Sequence, residues 1–287
     1  MLRKGDTIGL VACSNGRKPE QESEIANIEK LLFTHFGIKT ERAAMIFRTE
    51  NGLASGIAEE RAGALMGMYR NPEIKAIFDI SGGDVANEIL PYLDFEQIGV
   101  AQKPFIGYSD LTVIQNAIYA KTGVRGYNYQ LLNLGGEASA VQLELFRSIF
   151  IEAKERAISH EVLRDKADIR GEIIGGNIRC WLKLAGTEYM PNPSGKVVLL
   201  EALSGDVGKM RTYLAQLDQI GIFQAANGVI LGQFTEMQEN GLAPTIEELT
   251  RPYMEKYDKF LLKTSIVGHQ PDAEPFPIGF PIQDYLT

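Results

Sequence analysis

The sequence predicts an α/β protein in which crossover helices cover a parallel β-sheet. Short apolar runs alternate with segments whose apolar residues recur at the helical spacing of three or four. Glycine-rich turns such as Ser81-Gly82-Gly83 directly follow apolar runs. This alternation of strands and helices is typical of parallel sheets. Because such sheets bind ligands at the carboxyl ends of their strands, we expect the functional residues there.

The composition is that of a globular protein with an ordinary core. The chain has 287 residues, 45% hydrophobic and 23% charged, which is enough for one large or two modest domains. A net charge of −8 disfavours a nucleic acid polymer or an anionic membrane as a partner. The short apolar run near the N-terminus is better explained as a first strand than as a signal peptide. Cys13 and Cys180 are expected to be free thiols in a reducing cytoplasm.

The first half is predicted to repeat a strand followed by a helix. The predicted strands lie at 7–12, within 38–47, at 73–80 and at 104–106, and the helices at 21–36, 57–69 and 85–93, with a further helix ending at Gly123. A loop at 127–136, a helix at 139–155 and a charged linker up to residue 166 are expected to follow. We therefore predict an N-terminal domain at residues 1–160 and a C-terminal domain at 168–287.

The second half has the same kinds of element in a different arrangement. Strands are predicted at 196–200, 227–234 and 263–267, and helices at 177–184, at 207–219 and from Thr245 onward. The spacing of Thr245 and Glu248 matches a capping box. Pro252 is expected to bend or interrupt that last helix.

Ser109 is the first candidate for chemistry. It lies between the apolar run at 104–106 and a helix that ends at Gly123. A serine in this position has an exposed hydroxyl and backbone N–H groups at the positive end of the helix dipole, which suits a nucleophile. The same position also suits a helix N-cap, which is favoured when this stretch is considered alone. The full G-x-S-x-G pattern is absent.

A serine nucleophile needs a base and an acceptor that orients the base. Of the three histidines, His35 is expected to be structural and His160 solvated, whereas His269 follows a predicted strand in a loop. Glu201 ends an apolar strand, where an unpaired charge is costly, so it could orient an imidazole. It could instead face solvent or form a salt bridge.

Two glycine turns are candidate binding sites. The turn at Gly82-Gly83, together with the N–H of Asp110, could bind an oxyanion, or it could be a plain turn. The turn at 175–177 lacks the P-loop lysine and the G-x-G-x-x-G spacing, so no nucleotide cofactor is expected. No His/Cys spacing indicates a metal. Trp181 is expected to lie in the core rather than to form a lid.

Several motifs occur in an order that resembles a known family. They are GDTIGLVACSN, SGGD, GYSDLT, GEIIGGN, KVVLLEAL and GHQPDAEPFPIG. The chain resembles the LD-carboxypeptidases of the S66 serine peptidase group, which includes the microcin C immunity peptidases. The resemblance implies a nucleophile at Ser109, an acid at Glu201 and a base at His269, with oxyanion donors at the backbone of Gly83 and Asp110. It also implies a Rossmann-like N-terminal domain, a smaller β-rich C-terminal domain and a homodimer.

The implied function is that of a cytoplasmic serine carboxypeptidase without a cofactor. The first expected substrate is a murein tetrapeptide that loses its terminal D-alanine. The alternatives are a peptidyl- or aminoacyl-nucleotide conjugate as substrate and, more distantly, a non-catalytic α/β protein that binds a small ligand. Residues 81–85 read SGGDV where murein-recycling members carry an Arg-Gly-Gly-Tyr-Gly stretch, so the substrate stays open. Arg179, Lys183 and Arg211 are unranked candidates for binding the substrate carboxylate.

Overall fold

The computed structural model describes residues 2–50, 52–166 and 168–286. Within them the chain forms strands β1 (Thr7–Val11), β2 (Lys39–Arg42), β3 (Ile74–Asp79), β4 (Phe105–Gly107), β5 (Gly126–Asn128), β6 (Glu161–Arg164), β7 (Ile173–Asn177), β8 (Val197–Ala202), β9 (Gly228–Phe234), β10 (Phe260–Lys263) and β11 (Phe276–Ile278).

The strands form two sheets. The first has the order β11-β5-β4-β3-β1-β2, and all its strands are parallel except β11, which pairs antiparallel with β5. The second has the order β6-β10-β9-β8-β7, and only β6 runs antiparallel. The predicted α/β class with parallel sheets is therefore confirmed. The predicted division at 1–160 and 168–287 stays a prediction.

The helices cover these sheets. They are α1 (Glu22–Phe36), α2 (Ala58–Arg70), α3 (Phe95–Ala101), α4 (Thr112–Thr122), α5 (Ser139–Phe146), α6 (Ile178–Trp181), α7 (Val207–Gln219), α8 (Ile222–Ala225), α9 (Thr235–Glu239) and α10 (Ile246–Lys256). Short 3-10 turns include Ala86–Tyr92 and Ser109–Leu111. No described helix is both long enough and apolar enough to cross a membrane.

Local sequence signals explain where helices begin and end. The buried face of α1 carries apolar residues at helical spacing, and Gly37 ends the helix with φ 67°. The capping box at the start of α10 is present, with Thr245 Oγ1 accepting from Glu248 N at 3.3 Å. Helix α10 continues through Pro252 to Lys256, so this proline does not interrupt it.

Other predicted elements need correction. The strand predicted at 263–267 is wrong, because the strand in this region is β10, which already ends at Lys263. The next residue, Thr264, donates its hydroxyl to Ser159 O at 2.6 Å. The helix predicted at 85–93 is a 3-10 turn followed by α3. The predicted loop at 127–136 contains the end of β5, and the predicted linker contains β6. These strands have three or four residues, which is too short for a periodic pattern.

Helix α4 joins the two sheets. Asn116 Nδ2 donates to Gly175 O at 2.9 Å, and Gly175 N donates to Asn116 Oδ1 at 2.8 Å. Thr112 Oγ1 accepts from Asn177 N at 3.0 Å. Because these contacts fix β7 against the first two turns of α4, the carboxyl end of the second sheet lies beside the segment that carries Ser109.

Candidate active site

Ser109 adopts a strained backbone conformation at the carboxyl end of β4. Its φ is 55°, a left-handed value that is uncommon for a residue with a side chain and that occurs often at functional sites. Tyr108, with extended φ and ψ, occupies the cap position of the following 3-10 turn. The interpretation of Ser109 as an ordinary N-cap is therefore wrong. The residue is partly exposed to solvent.

The Gly82-Gly83 turn lies directly beside Ser109. A Cβ atom on Gly82 would be 4.0 Å from Ser109 Cβ. Gly83 has φ 133°, and a Cβ there would lie 2.1 Å from Asn15 Cγ, so this position requires glycine. Asn15 also fixes the turn, since its N donates to Gly82 O at 3.2 Å and its Oδ1 accepts from Asp84 N at 3.1 Å. The structure thus brings together the serine and the glycine turn that the sequence singled out.

Glu201 and His269 form a buried pair. Glu201 is 1% exposed, and His269 Nδ1 lies 2.9 Å from Glu201 Oε2. This distance is within the range of a hydrogen bond, but the two atoms are not aligned well enough to form one. The expectation that Glu201 could face solvent is wrong. The His269 ring packs on the ring of Tyr108, with the ring centroids 5.0 Å apart, and Tyr108 directly precedes Ser109 in the sequence.

Two backbone features aim Glu201 at His269. The register between β8 and β9 shifts between Leu200 and Ala202, so Glu201 sits at an irregularity of the kind that redirects side chains near active sites. On β9, a Cβ on Gly232 would lie 3.1 Å from Glu201 Cβ and 2.8 Å from Val267 O. The absence of a side chain at position 232 therefore allows the strand and the His269 loop to approach each other.

Two buried carboxylates tie the strand ends together, and sequence reasoning missed both. Asp110 Oδ2 accepts from Ser14 Oγ at 2.6 Å and from Ala86 N at 2.8 Å, and its other oxygen pairs with Lys183. The sequence predicts a role for the backbone of Asp110 only. The available signal was a charged residue in the turn that follows an apolar strand.

Asp79, at the end of β3, is the second of these carboxylates. It accepts from Cys13 N and Ser81 N, both at 2.8 Å, and from Ser81 Oγ at 2.6 Å. Burial raises the pKa of the Asp79 carboxyl group. Ser14 N donates to Ser81 Oγ at 3.1 Å, which connects this carboxylate to the one at Asp110.

Arg61 supports the same loops from helix α2. Its side chain is 1% exposed and pairs with Glu88. Its Nη1 donates to Cys13 O at 2.6 Å and to Val85 O at 3.2 Å, so one cation holds the segments after β1 and β3. The sequence offered no signal for this role, because an arginine in an amphipathic helix ordinarily faces water.

The three basic candidates separate in space. Arg179 Nη2 donates to Gly83 O at 3.1 Å, and its Nη1 pairs with the Asp84 carboxylate. Lys183 Nζ donates to Asp84 O at 2.8 Å and pairs with Asp110. Arg211 instead lines a surface cavity between α7 and α10. Only the first two basic residues meet at the glycine turn.

The remaining candidates are not placed for chemistry. Cys13 and Cys180 are buried free thiols, and burial raises the pKa of both, so neither is readily ionised. Trp181 is fully buried, which confirms its place in the core. Across residues 2–50, 52–166 and 168–286, no group of three His, Cys, Asp or Glu side chains could hold a metal ion.

A partly exposed serine beside a glycine turn and a buried histidine–glutamate pair that contacts the neighbouring Tyr108 are residue types that serine-type hydrolases use. The chain belongs to the S66 peptidase family. The model of the LD-carboxypeptidase N-terminal domain matches residues 8–129, and that of the LD-carboxypeptidase C-terminal domain matches residues 170–283. The protein is accordingly a serine-type carboxypeptidase, and the resemblance seen in its motifs is confirmed.

Two known proteins are similar to most of the chain. A probable murein peptide carboxypeptidase of Bacillus subtilis is 26% identical over 291 residues, covering 97% of this chain and 88% of the relative. The microcin C7 self-immunity protein MccF of Escherichia coli is 27% identical over 266 residues, covering 81% and 76%.

Solved structures agree with the fold described above. An MccF-like protein from Bacillus anthracis has a TM-score of 0.83 at 26% identity and covers 98% of this chain and 93% of its own. MccF in complex with glutamyl sulfamoyl guanosine has a TM-score of 0.81 at 22% identity, covering 100% and 98%.

Proposed function

We propose that the protein is a serine carboxypeptidase whose triad is Ser109, His269 and Glu201, and that it releases the terminal D-alanine of a murein tetrapeptide. The observation that carries the proposal is the 2.9 Å approach of His269 Nδ1 to Glu201, with the same imidazole packed on Tyr108 beside the strained Ser109. A catalytic serine needs a base nearby and a carboxylate that orients this base.

In this proposal Ser109 Oγ attacks the carbonyl carbon of the scissile amide, while His269 Nε2 takes the hydroxyl proton. Glu201 stabilises the imidazolium that forms. The N–H groups of Gly83 and Asp110 bind the tetrahedral oxyanion. The C–N bond then breaks, and His269 gives its proton to the leaving amine. A water molecule attacks the acyl-serine by the same route in reverse, which releases the shortened peptide and restores Ser109.

The comparisons support two substrates for this chemistry. Similarity to a murein peptide carboxypeptidase over 97% of the chain favours a murein peptide. Similarity to MccF, whose solved complex holds glutamyl sulfamoyl guanosine, favours an aminoacyl-nucleotide conjugate as the second candidate. Both substrates carry an amide next to an acidic group, so the triad would serve either one.

Incubation of the purified protein with both substrates tests the proposal. We expect release of D-alanine from L-Ala-γ-D-Glu-L-Lys-D-Ala, and no release above background by the Ser109→Ala variant. Equal release by wild type and variant would exclude Ser109 as nucleophile. Cleavage of an aminoacyl-sulfamoyl nucleoside alone would transfer the assignment to the second candidate. Binding without cleavage of either substrate would indicate a non-catalytic protein.

We further propose that the protein works as a homodimer in the cytoplasm. Two buried free thiols support a reducing compartment. The homodimer rests on the family resemblance alone. Sedimentation equilibrium tests it, and we expect twice the 31.7 kDa mass of the chain. A single species of monomer mass at micromolar concentration would contradict the dimer.

Substitution of Gly232 tests the backbone approach behind the triad. We expect Gly232→Ala to lower kcat by about 10²-fold, because the added methyl group separates Glu201 from the His269 loop and small misplacements at this site have effects of that size. Steady-state rates of D-alanine release measure it. Gly63→Ala is the matched control, since a Cβ there meets no atom within 4 Å, and it should keep the wild-type rate. A wild-type rate for Gly232→Ala would show that the approach is not needed.

A further inference from the structure

We propose that Arg179 binds the terminal carboxylate of the substrate, and that Asp84 occupies its guanidinium until substrate arrives. The inference rests on the proposed function, since it names the specificity residue of that site. A carboxypeptidase must distinguish a free terminal carboxylate from a continuing chain, and a planar guanidinium is well suited to bind a carboxylate.

The position of Arg179 meets a strict distance requirement. In the substrate, the terminal carboxylate carbon is three bonds from the scissile carbonyl carbon, so the two carbons are less than about 4.3 Å apart. The cation that binds this carboxylate must therefore lie next to the oxyanion site. Arg179 Nη2 donates at 3.1 Å to the carbonyl oxygen of Gly83, the residue whose own N–H is proposed to bind the oxyanion.

Exposure and partners separate Arg179 from its neighbour Lys183. The Lys183 side chain is 20% exposed and is paired directly with the fully buried Asp110. Removing Lys183 from this pair would leave a buried charge uncompensated. Arg179 is 41% exposed and its ionic partner Asp84 is 56% exposed, so this pair can separate at low cost. Arg179 is therefore the cation available to substrate.

The side chain of Asp84 carries a carboxylate, like the substrate terminus that would replace it on Arg179. Its carboxylate pairs with Arg179 Nη1, while its backbone is held by Asn15 at 3.1 Å and Lys183 at 2.8 Å. The Asp84 side chain can thus swing away without loss of the turn. In this arrangement Asp84 competes with the substrate carboxylate for one guanidinium, so the two residues have opposite effects on affinity.

Calorimetric titration of the Ser109→Ala protein tests the inference without turnover. The probes are L-Ala-γ-D-Glu-L-Lys-D-Ala with a free terminal carboxylate and the same peptide with a terminal amide. We expect the acid to bind at least tenfold more tightly than the amide. Adding Arg179→Gln should weaken binding of the acid about 10- to 100-fold and leave the amide unchanged, because charged hydrogen bonds have this strength. Arg179→Lys should restore part of the loss.

Adding Asp84→Asn instead should tighten binding of the acid several-fold. Arg211→Gln, at the cavity between α7 and α10, is the matched control and should change neither affinity. A purely structural ion pair would make Arg179→Gln and Asp84→Asn change acid and amide binding alike and in one direction, which would overturn the inference. Failure of the Ser109→Ala protein to bind the acid would overturn it as well.

Turnover is measured in parallel with Ser109 intact. If the acid preference depends on Arg179 but no substrate is cleaved, the inference stands and the proposed function fails. If D-alanine is released but Arg179→Gln has no effect on binding of the acid, the proposed function stands and the inference fails.

Discussion

Replacement of His269 by alanine is expected to lower kcat for D-alanine release on the order of 10⁶-fold and to leave KM within a few-fold. In the proposed triad His269 is the base for Ser109, and the other two histidines have other surroundings. His35 lies on α1 beside Phe36, and His160 Nδ1 is 2.8 Å from Ile158 O. Without the imidazole, the Ser109 hydroxyl keeps its proton and is a weak nucleophile.

The double variant Ser109→Ala/His269→Ala provides a sharper test. Residues that act as one unit lose their effect together, so the double variant should be no slower than either single variant. Glu201→Gln should lose less, on the order of 10⁴-fold, because the imidazole is retained in the wrong orientation. Single-turnover rates measure these losses, and unfolding curves confirm that each variant is folded. Rate losses that multiply in the double variant would show that Ser109 and His269 do not act as a unit.

The sequence predicted the approximate place of each candidate site residue but not how the residues meet. Ser109, Glu201 and His269 each follow or end an apolar run, and parallel strands bring such ends to one edge. The strained φ of Ser109 and the register shift at Glu201 depend on contacts with distant segments, and no local pattern encodes them. The buried role of Arg61 has the same origin.

The fold was predicted best where elements are long and locally capped. Helix α1 ends at Gly37 as expected, and α10 begins at its capping box. The short edge strands β6 and β11 went undetected, because strands of three or four residues acquire their structure from the sheet they join. Nothing in the sequence around Ile278 indicates that the C-terminal segment returns to pair with β5 of the first sheet.

Replacement of Asp110 by alanine is expected to lower the free energy of unfolding by about 3–5 kcal/mol, the usual cost of breaking a buried ion pair. The Asp110 side chain is fully buried, and its loss leaves the Lys183 ammonium without its ionic partner and the Ser14 hydroxyl and the Ala86 N–H without this acceptor. Urea unfolding followed by circular dichroism measures the change. Asp206→Ala is the matched control: this exposed aspartate caps α7 through Lys209 N at 2.9 Å, so its loss should cost only about 1 kcal/mol.

A double-mutant cycle with Lys183→Met distinguishes the ion pair from the other contacts of Asp110. Each single variant leaves one charge without its partner, whereas Asp110→Ala/Lys183→Met removes both charges, so the double variant should be more stable than the sum of the two losses predicts. A coupling energy near zero would mean that Ser14 and Ala86 account for the stabilisation by Asp110. A large coupling energy would instead show that the pair of Asp110 and Lys183 itself stabilises the fold, by joining the turn after β4 to the turn after α6.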